Sequence, residues 1–370
     1  MEKYSAFRDP GTGIQPFLTP VPPLGSSTPL KIALPFLYVA GAVRTALVVA
    51  IAALYGVLVS GACTLLIPIP PIHNVVSYVL TALLSRLTLL ILGAWWIPVE
   101  KVSRKRGRST ESRESWRPSA GDFIVSNWSS WIEILWLAFR FDPIFVLPVS
   151  STLVEQHDTS PETRVAGRKT GTGSAAISSP VRRVARRADI VGFRKTSLLR
   201  MITSTGNTPL DASSGNYSSL EEIRRKASRP LVVFPECTTS NGRGLLRFAE
   251  VFKDRAVPVK GYKVFIMCVR YDPPTVLSPT LSHSIPSALN PLLHVFALAS
   301  TFKPLTMSIR LLPPAESPSS PLFMASEVVS GDVGADTLSA ACAGLISQLG
   351  KLKKMSLSWE DKVSFLRLYR

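Results

Sequence analysis

The sequence predicts an α/β domain whose mixed sheet is flanked by helices, preceded by an N-terminal hydrophobic helical hairpin. Two observations support this prediction. From Trp95 onward, short apolar runs typical of strands alternate with segments typical of helices, and this alternation favours an α/β architecture. Upstream, residues 45–85 are a run of 41 residues without Asp, Glu, Lys or Arg, which favours apolar helices.

The predicted domain is built from short elements in a regular order. Its strands are predicted at residues 95–99, 122–125, 143–148, 230–234, 264–270 and 305–312. Its helices are predicted at residues 131–139, 197–203, 219–227 and 244–252. Two further helices are predicted at residues 336–353 and 359–370, the second from apolar side chains that recur among charges at helical spacing.

The uncharged run predicts the hairpin. Residues 45–67 form an apolar block of 23 residues, about 34 Å long as a helix, which is enough to span a bilayer core. Pro70 and Pro71 interrupt the helix because proline has no amide donor. The second stretch, residues 75–97, carries Arg86 near its middle. A charge at the bilayer centre costs about 2.5–3.5 kcal/mol, so this stretch is expected to dip into the membrane or lie along it, with a buried core helix as the alternative.

Composition divides the chain into four parts. Residues 1–30 contain Pro, Gly, Ser and Thr without periodicity and are expected to form a mobile tail, followed by the membrane-embedded hairpin at residues 31–97. Residues 98–314 form the predicted domain, with a disordered basic insertion at about 155–190. Residues 315–370 are a linker followed by the C-terminal helices.

The formal net charge is +17, and two stretches, residues 101–117 and 161–195, supply +12 of it. These stretches are either solvated loops or a surface that holds the protein against anionic membrane lipid. Nucleic-acid binding is not expected, because the basic stretches lack interleaved aromatic residues and adjoin membrane segments. Basic residues between Lys101 and Arg108 favour the cytosolic side of the membrane for the domain.

The four cysteines are widely spaced, and no Cys-x-x-Cys pair occurs. This pattern predicts neither a disulfide framework nor a metal site. The sequence also lacks the Gly-rich loops that bind nucleotides and the Gly-x-Ser-x-Gly elbow of hydrolases. No metal and no cofactor are therefore expected.

Two short segments carry the candidate chemistry. The first motif is Ser126-Asn-Trp-Ser-Ser-Trp-Ile-Glu-Ile-Leu135, between a predicted strand and a predicted helix. The third motif is Phe234-Pro-Glu-Cys-Thr-Thr-Ser-Asn-Gly242, directly after an apolar strand. Together they resemble two motifs of the glycerolipid acyltransferase superfamily, Asn-His-x-Ser-x-x-Asp and Phe-Pro-Glu-Gly-Thr. The family's second motif, Gly-x-x-Phe-Ile-Asp-Arg, has a counterpart between them at residues 206–212.

The resemblance covers residues 95–314 and is closest to the fungal lysophosphatidic acid:oleoyl-CoA acyltransferase branch. In that alignment Trp128 stands where the family has its catalytic His, Glu133 where it has Asp, and Cys237 where it has Gly. The resemblance implies substrate-binding roles for Asn127, Ser130, Gly206, Asp211, Glu236 and Thr238. The nearby Thr239, Ser240 and Arg243 are further candidates for substrate binding, because they add hydroxyls and a positive charge to the same loop.

The resemblance also implies an activity, the transfer of a fatty acyl chain from acyl-CoA to a lysophospholipid in glycerolipid synthesis or remodelling. Lysophosphatidic acid is the expected acceptor, and acyl-CoA is a substrate rather than a cofactor. The expected location is the endoplasmic reticulum membrane or the lipid droplet, with the domain facing the cytosol. A catalytically silent relative that binds lipid or organises membrane is the competing hypothesis, because Trp128 replaces the His.

Acyl transfer requires a base. In the family the motif His removes the proton of the acceptor hydroxyl, and the carboxylate orients the imidazole. Trp128 cannot act as that base, because indole offers a donor and no acceptor nitrogen. Glu133 either takes the proton itself or only stabilises the start of the helix, where an anion is favoured. His157, followed five residues later by Glu162, is an alternative base, whereas the other histidines are expected to be structural.

The third motif leaves alternatives open as well. Its carboxylate and hydroxyls either bind substrate or belong to an ordinary turn. Cys237 is either a small residue in the Gly position or a nucleophile, although no base lies beside it in sequence. Arg243 and Arg247 either hold a phosphate or are surface charges.

Overall fold

The computed structural model of the protein describes residues 3–23, 28–104, 115–151, 188–253, 255–329 and 336–369. The predicted insertion at residues 155–190 lies almost entirely outside these residues, as does much of both basic stretches. The alternative pair of His157 and Glu162 also lies outside the described residues.

Eight helices and ten strands are formed by the described residues. The helices are α1 Thr28–Leu58, α2 Pro70–Leu92, α3 Ile132–Phe141, α4 Leu198–Thr203, α5 Leu220–Arg225, α6 Leu292–Ala299, α7 Thr337–Gly350 and α8 Trp359–Tyr369. The strands are β1 Val99–Lys101, β2 Phe123–Ser126, β3 Ile144–Ser150, β4 Ile190–Thr196, β5 Leu210–Asp211, β6 Leu231–Val233, β7 Gly244–Leu245, β8 Val264–Tyr271, β9 Met307–Leu311 and β10 Lys353–Lys354.

One mixed sheet has the strand order β1–β9–β8–β2–β6–β3–β4, with β5 paired to the end of β3. Strands β8, β2, β6 and β3 are parallel, whereas β9 and β4 pair antiparallel to β8 and β3. Strands β2 and β6 are buried along their whole length, as expected for central strands covered on both faces. Helix α7 packs against β8, and α4 against β3. The predicted fold class is confirmed.

The sheet positions the two motifs. Strand β2 ends at Ser126 and β6 ends at Val233, and the two strands are parallel neighbours. The carboxyl ends of parallel neighbours meet at one edge of a sheet, where α/β proteins place their ligands. The first and third motifs follow these strand ends directly, so the fold brings them together although more than a hundred residues separate them in sequence.

Three local predictions differ from the structure. The predicted helix at 244–252 is wrong, because Gly244–Leu245 form strand β7 against β10. Strand β1 begins at Val99 rather than at Trp95, and Trp95 and Trp96 are exposed. Strand β4 was not predicted, since its apolar pattern is broken by Gly192 and by two basic residues on a sheet edge.

The predicted N-terminal helical hairpin is formed by α1 and α2, which pack against each other. Two helical segments, Ala33–Leu66 and Pro71–Leu92, are long and apolar enough to cross a membrane by length and composition. Arg86 lies six residues before the end of α2, and its guanidinium donates to the carbonyl oxygens of Ala94 and Trp95 at 3.1 and 2.8 Å. The charge therefore lies toward the domain end of α2.

The N-terminal segment differs from the predicted mobile tail, because its aromatic residues pack on α8. The rings of Tyr4, Phe7 and Phe17 lie 5.4–5.6 Å from the ring of Phe365, and Phe17 is 1% exposed. Burial of aromatic area stabilises such a contact without any helical or strand period. The start of the chain consequently lies on the domain.

Candidate functional site

Backbone hydrogen bonds fasten the first and third motifs to each other. The Trp128 amide donates to Glu236 Oε2 at 2.7 Å, and the Ser240 amide donates to the Trp128 carbonyl oxygen at 3.1 Å. The other oxygen of Glu236, Oε1, accepts from the Leu246 amide at 2.9 Å. Glu236 thus joins three separate segments of chain while being 1% exposed.

Glu133 lies at the start of α3 and is fully buried. Its Oε1 accepts from the amides of Ser129 and Ser130 at 2.6 and 3.2 Å, so it organises its own turn. Its Oε2 accepts from the hydroxyl of Tyr271 at 2.9 Å. Burial raises the pKa of Glu133 to about 8, although these hydrogen bonds act in the opposite direction. Among the described residues, the Tyr271 hydroxyl is the side-chain group that bonds to this carboxyl group.

A lysine from α8 reaches the third motif. Lys362 is fully buried, and its Nζ donates to the carbonyl oxygen and the hydroxyl oxygen of Thr239 at 2.8 and 3.2 Å. Burial lowers the pKa of Lys362 well below its usual value, and the charge of Glu236 opposes that shift. Burial raises the pKa of Glu236 to about 8, while its backbone hydrogen bonds and Lys362 lower it. The two groups therefore interact electrostatically within the buried site.

Trp128 fills the position of the family histidine. It is 2% exposed and stacks on Phe234 with ring centroids 5.0 Å apart and planes 22° apart. Its indole N–H has no hydrogen-bond acceptor among the described residues. Trp128 supplies a buried donor and a packed ring, and no group that accepts a proton.

Asn127 and Ser130, the other matching residues of the first motif, bond to backbone. Asn127 accepts from the Val269 amide at 2.8 Å and donates to the Val269 carbonyl oxygen at 3.0 Å. It therefore ties the first motif to β8. The hydroxyl of Ser130 accepts from the Ile132 amide at 3.4 Å, at the start of α3.

The hydroxyls of the third motif also bond to backbone. Thr238 donates to the carbonyl oxygen of Asn207 and Thr239 to that of His283, both at 2.8 Å. The Ser240 hydroxyl accepts from the Gly242 amide at 3.2 Å. All three predicted substrate-binding residues are buried. The hydroxyls of Thr238 and Thr239 hold the loop to the second motif and to the segment around His283, whereas that of Ser240 bonds within the loop.

The structure places the remaining predicted residues at different distances from this cluster. Gly206 adopts φ +92° with no room for a side chain, since a Cβ would lie 2.8 Å from the Pro286 nitrogen. Asp211, in β5, accepts from the hydroxyl of Ser213 at 2.9 Å. Arg243 is exposed, and its guanidinium makes no hydrogen bond or ion pair to the part of the chain that the structure describes. Arg243 is thus not brought into the cluster.

The structure also bears on the alternatives for Cys237, a nucleophile or a small residue, and for Arg247, a phosphate ligand or a surface charge. Cys237 has φ +55°, the left-handed region in which glycine is favoured, which explains a Gly at this position in the family. Burial raises the pKa of the Cys237 thiol well above its usual value, which disfavours the thiolate needed for nucleophilic attack. Arg247 pairs with Glu360 at 3.8 Å and donates to Ser358, within the C-terminal segment.

Sequence reasoning missed two residues of the site, Tyr271 and Lys362. Tyr271 is the last residue of β8, a predicted strand whose carboxyl end lies beside that of β2. Lys362 lies in α8, a helix predicted from apolar side chains that recur among charges. Position at a strand end is a usable signal for the first, but no local pattern reveals that a lysine on an amphipathic helix is buried.

Two cavities adjoin the motifs. The larger, about 310 Å³, is an almost wholly apolar groove between the hairpin and the domain, lined by α1, α2, α3, α4 and α6. The smaller, about 30 Å³, is lined by residues of all three motifs, among them Trp128, Asn207 and Cys237. The groove includes Thr203 and the small cavity Ser204, so the same turn of chain separates them. A groove of this lining suits a hydrocarbon chain.

Comparison with known proteins gives one full-length relative. No protein-family model matches the chain. The chain is 26% identical over 371 aligned residues to a "Putative lysophosphatidic acid:oleoyl-CoA acyltransferase" of Schizosaccharomyces pombe, covering 99% of this chain and 97% of that protein. Among solved structures it is similar to the crystal structure of the 1-acyl-sn-glycerophosphate (LPA) acyltransferase PlsC from Thermotoga maritima, with a TM-score of 0.41, 13% identity and coverage of 90% and 98% of the two chains. The full-length relative confirms the resemblance of this chain to the glycerolipid acyltransferases.

Proposed function

We propose that the protein transfers a fatty acyl chain from acyl-CoA to the free hydroxyl of lysophosphatidic acid at a membrane. The observation that carries this proposal is the 2.7 Å hydrogen bond from the Trp128 amide to Glu236. It joins the two segments on which the family resemblance rests, at the sheet edge where α/β proteins bind ligands. The name of the full-length relative supports the same substrate class.

The apolar groove supports a long-chain acyl donor. Its walls come from the hairpin on one side and from α3, α4 and α6 on the other. An acyl chain lying there buries its methylene groups, each contributing about 0.8 kcal/mol. The carboxyl end of that chain then lies near the turn at Thr203 and Ser204, beside the small cavity where the three motifs meet.

The chemistry proceeds without a histidine. The acceptor hydroxyl oxygen attacks the thioester carbonyl carbon and forms the ester C–O bond, and the C–S bond then breaks. The hydroxyl proton moves to the Tyr271 oxygen as the Tyr271 proton moves to Glu133 Oε2, and it finally reaches the CoA thiolate. Loss of an ordinary general base lowers a rate by about 10²–10⁴-fold. The rate acceleration that comes from alignment of the two substrates is kept. A slow enzyme is therefore expected.

The test is an assay of the purified full chain in lipid nanodiscs with oleoyl-CoA and a panel of lysophospholipids. Phosphatidic acid should form from lysophosphatidic acid faster than in protein-free nanodiscs, and more slowly from lysophospholipids with other headgroups. Equal background rates for the protein, for Glu133→Gln and for Glu236→Gln would remove the enzymatic proposal.

A specific observation favours a second candidate, a catalytically silent lipid-binding or membrane-organising protein. The base is replaced by Trp128, and Glu133 is sealed from solvent. Trp128→His separates the two functions. An imidazole at this position can accept a proton, so acyl transfer by an enzyme should acquire a pH dependence in the range where histidine titrates, with some loss of stability from the smaller ring. A silent protein gains nothing from this substitution.

We propose that the hairpin enters and leaves the membrane on one face, with the domain and the N-terminal segment in the cytosol. The contact between Phe17 and Phe365, which joins the N-terminal segment to α8, supports this arrangement. Apolar side chains are exposed along α1 and α2, for example Phe36 at 74% and Leu83 at 62%, and lipid is the solvent that suits them. Protease protection in sealed microsomes tests this, and a shielded N-terminal tag with a digested domain contradicts it.

The endoplasmic reticulum membrane or the lipid droplet is the proposed location, and anionic lipid the proposed surface. Each Lys or Arg near such a surface contributes about 1 kcal/mol. Replacing Arg182, Arg183, Arg186 and Arg187 by Gln should lower binding of the full chain to anionic vesicles but not to neutral ones. Unchanged binding would leave these arginines without a role at the membrane, and fluorescence microscopy of the tagged chain tests the location.

A further inference from the structure

The indole N–H of Trp128 is a buried donor without an acceptor. The side chain is 2% exposed, and no described residue accepts from its Nε1. Leaving such a group unpaired in a protein interior is energetically unfavourable. Nearly all buried donors in folded proteins are paired, so an unpaired one at a candidate reaction centre requires an explanation.

Trp128 also lines the small cavity of about 30 Å³. One wall comes from Trp128 of the first motif, another from Asn207–Leu210 of the second motif, and a third from Cys237 of the third motif. A cavity needs about 10–15 Å³ to hold one water molecule. This one accommodates an oxygen-sized group and not a phosphate headgroup.

Two other tryptophans show what distinguishes this site. The indole N–H groups of Trp116 and Trp359 are buried without an acceptor as well, but neither residue lines the groove or the small cavity. An unpaired indole alone therefore identifies nothing. At Trp128 the unpaired donor belongs to a side chain that lines a cavity, at the place where the three motifs meet.

We propose that the Trp128 indole N–H donates a hydrogen bond to the carbonyl oxygen of the bound acyl thioester and to the oxyanion that forms there. This inference rests on the proposed acyl transfer and names a further catalytic residue for it. Attack by the acceptor hydroxyl places the carbonyl π electron pair on that oxygen. The pair returns as the C–S bond breaks and the CoA thiolate leaves. A donor fixed by stacking on Phe234 stabilises that charge without reorganising.

With Trp in place of His, the side chain at this position is a hydrogen-bond donor instead of a proton acceptor. A histidine at this position accepts the proton of the nucleophile, whereas an indole can only donate. The site loses the imidazole base, so the proton takes the proposed route through Tyr271 to Glu133, and the indole adds a donor at the carbonyl oxygen. Removing one oxyanion donor from an enzyme lowers kcat by about 10²–10³, which is the range expected for loss of this N–H.

The first experiment removes only the N–H. Trp128→benzothienylalanine in the full chain replaces the nitrogen by sulfur and keeps the size and stacking of the ring. We expect kcat for oleoyl transfer to lysophosphatidic acid to fall about 10²-fold, with KM for oleoyl-CoA and the melting temperature little changed. The matched control, Trp116→benzothienylalanine, removes an equally buried and unpaired N–H away from the cavity and should leave kcat unchanged.

The second experiment reads the N–H directly. The chain has seven tryptophans, so its ¹⁵N-indole spectrum contains few signals, and Trp128→Phe identifies the one from Trp128. The probe is a ketone analogue of oleoyl-CoA in which a methylene replaces the thioester sulfur. On binding of this analogue, the Trp128 indole proton should shift downfield, while the Trp116 signal should not.

The outcomes distinguish this inference from the proposed function. Acyl transfer that is equal in the wild type and in Trp128→benzothienylalanine overturns the role of Trp128 and leaves the acyltransferase proposal intact. No transfer by the wild type, together with a shifted Trp128 signal, overturns the activity and keeps the carbonyl contact. A Trp128 signal that the analogue does not move, whether or not the analogue binds elsewhere, overturns the inference, because the N–H then meets at most a water molecule.

Discussion

The two buried glutamates of the site are held in different ways. Glu133 bonds within its own turn, to amides three and four residues away, and to the hydroxyl of Tyr271. Glu236 bonds to the amides of Trp128 and Leu246, in two different segments. Burial raises the pKa of both to about 8, yet one carboxyl group organises a helix start and the other joins the loops of the site.

This difference bears on which of the two carboxyl groups can take part in proton transfer. Only Glu133 has an oxygen whose partner, a tyrosine hydroxyl, can pass on a proton. Both oxygens of Glu236 accept from backbone amides, which cannot. The third motif therefore supplies a carboxyl group that joins loops, whereas the carboxyl group of the first motif bonds to a hydroxyl that can exchange a proton.

The largest effect is expected for Glu236→Gln. The amide group of Gln places an N–H₂ against one of two backbone N–H donors, so one hydrogen bond becomes a donor–donor contact inside the protein. Acyl transfer should fall at least 10²-fold, and the melting temperature should fall as well, as measured by product formation and by thermal unfolding. Glu100→Gln is the control on an exposed carboxylate. A stable, fully active Glu236→Gln protein would remove the framework role.

A smaller loss is expected for Glu133→Gln. The substitution keeps the size of the side chain and removes its capacity to take a proton, so activity should fall at least tenfold while folding and membrane association persist. Because the pKa of Glu133 is raised to about 8, wild-type activity should rise with pH up to about that value, and this rise should be absent in the variant. An identical rising pH profile in Glu133→Gln would assign the titration to another group.

Lys362→Met tests the electrostatic partner of Glu236. The methionine keeps the length of the side chain but removes the positive charge that lowers the pKa of Glu236. Glu236 should therefore remain protonated to higher pH and accept more weakly from the amides of Trp128 and Leu246, so activity at pH 7 should fall several-fold. The variant loses the hydrogen bonds to Thr239 but no longer has to bury a charge, and the two changes in folding free energy partly cancel. The free energy of unfolding should therefore change by no more than about 1–3 kcal/mol. Lys226→Met, at an exposed lysine, should move neither quantity.

The smallest effect is expected in the pH dependence of the free energy of unfolding. The pKa of Glu133 is about 8 in the folded protein and 4.5 as its ordinary value, so between these pH values the folded state binds more protons than the unfolded state. Stability contributed by protonated Glu133 is complete below pH 4.5 and is lost as pH rises through 8. The free energy of unfolding should thus decline between pH 6 and pH 8.5 by at least about 1 kcal/mol more in the wild type than in Glu133→Gln. Equal slopes in denaturant titrations would show that Glu133 is ionised throughout.

Much of the fold followed from the sequence because its signals are local. The strands before the motifs are continuous apolar runs, and the hairpin is a charge-free stretch broken by prolines. The local order of apolar, charged and proline residues was therefore sufficient to predict them. The same approach failed at residues 244–252, where a segment with helical spacing is held extended by pairing with β10. It also failed for the N-terminal segment, whose aromatic residues have no period but fit against α8.

The sequence by itself determined the order of the motifs, the loss of the histidine at Trp128 and the apolar hairpin, because each is a property of neighbouring residues. Tertiary structure alone decided that Lys362 is buried against Thr239, 123 positions earlier in the chain. It also decided that Tyr271 meets Glu133 and that the Trp128 indole lines a cavity shared by three motifs. Such contacts depend on which strand ends and helices the fold places side by side, and no local pattern of residues encodes them.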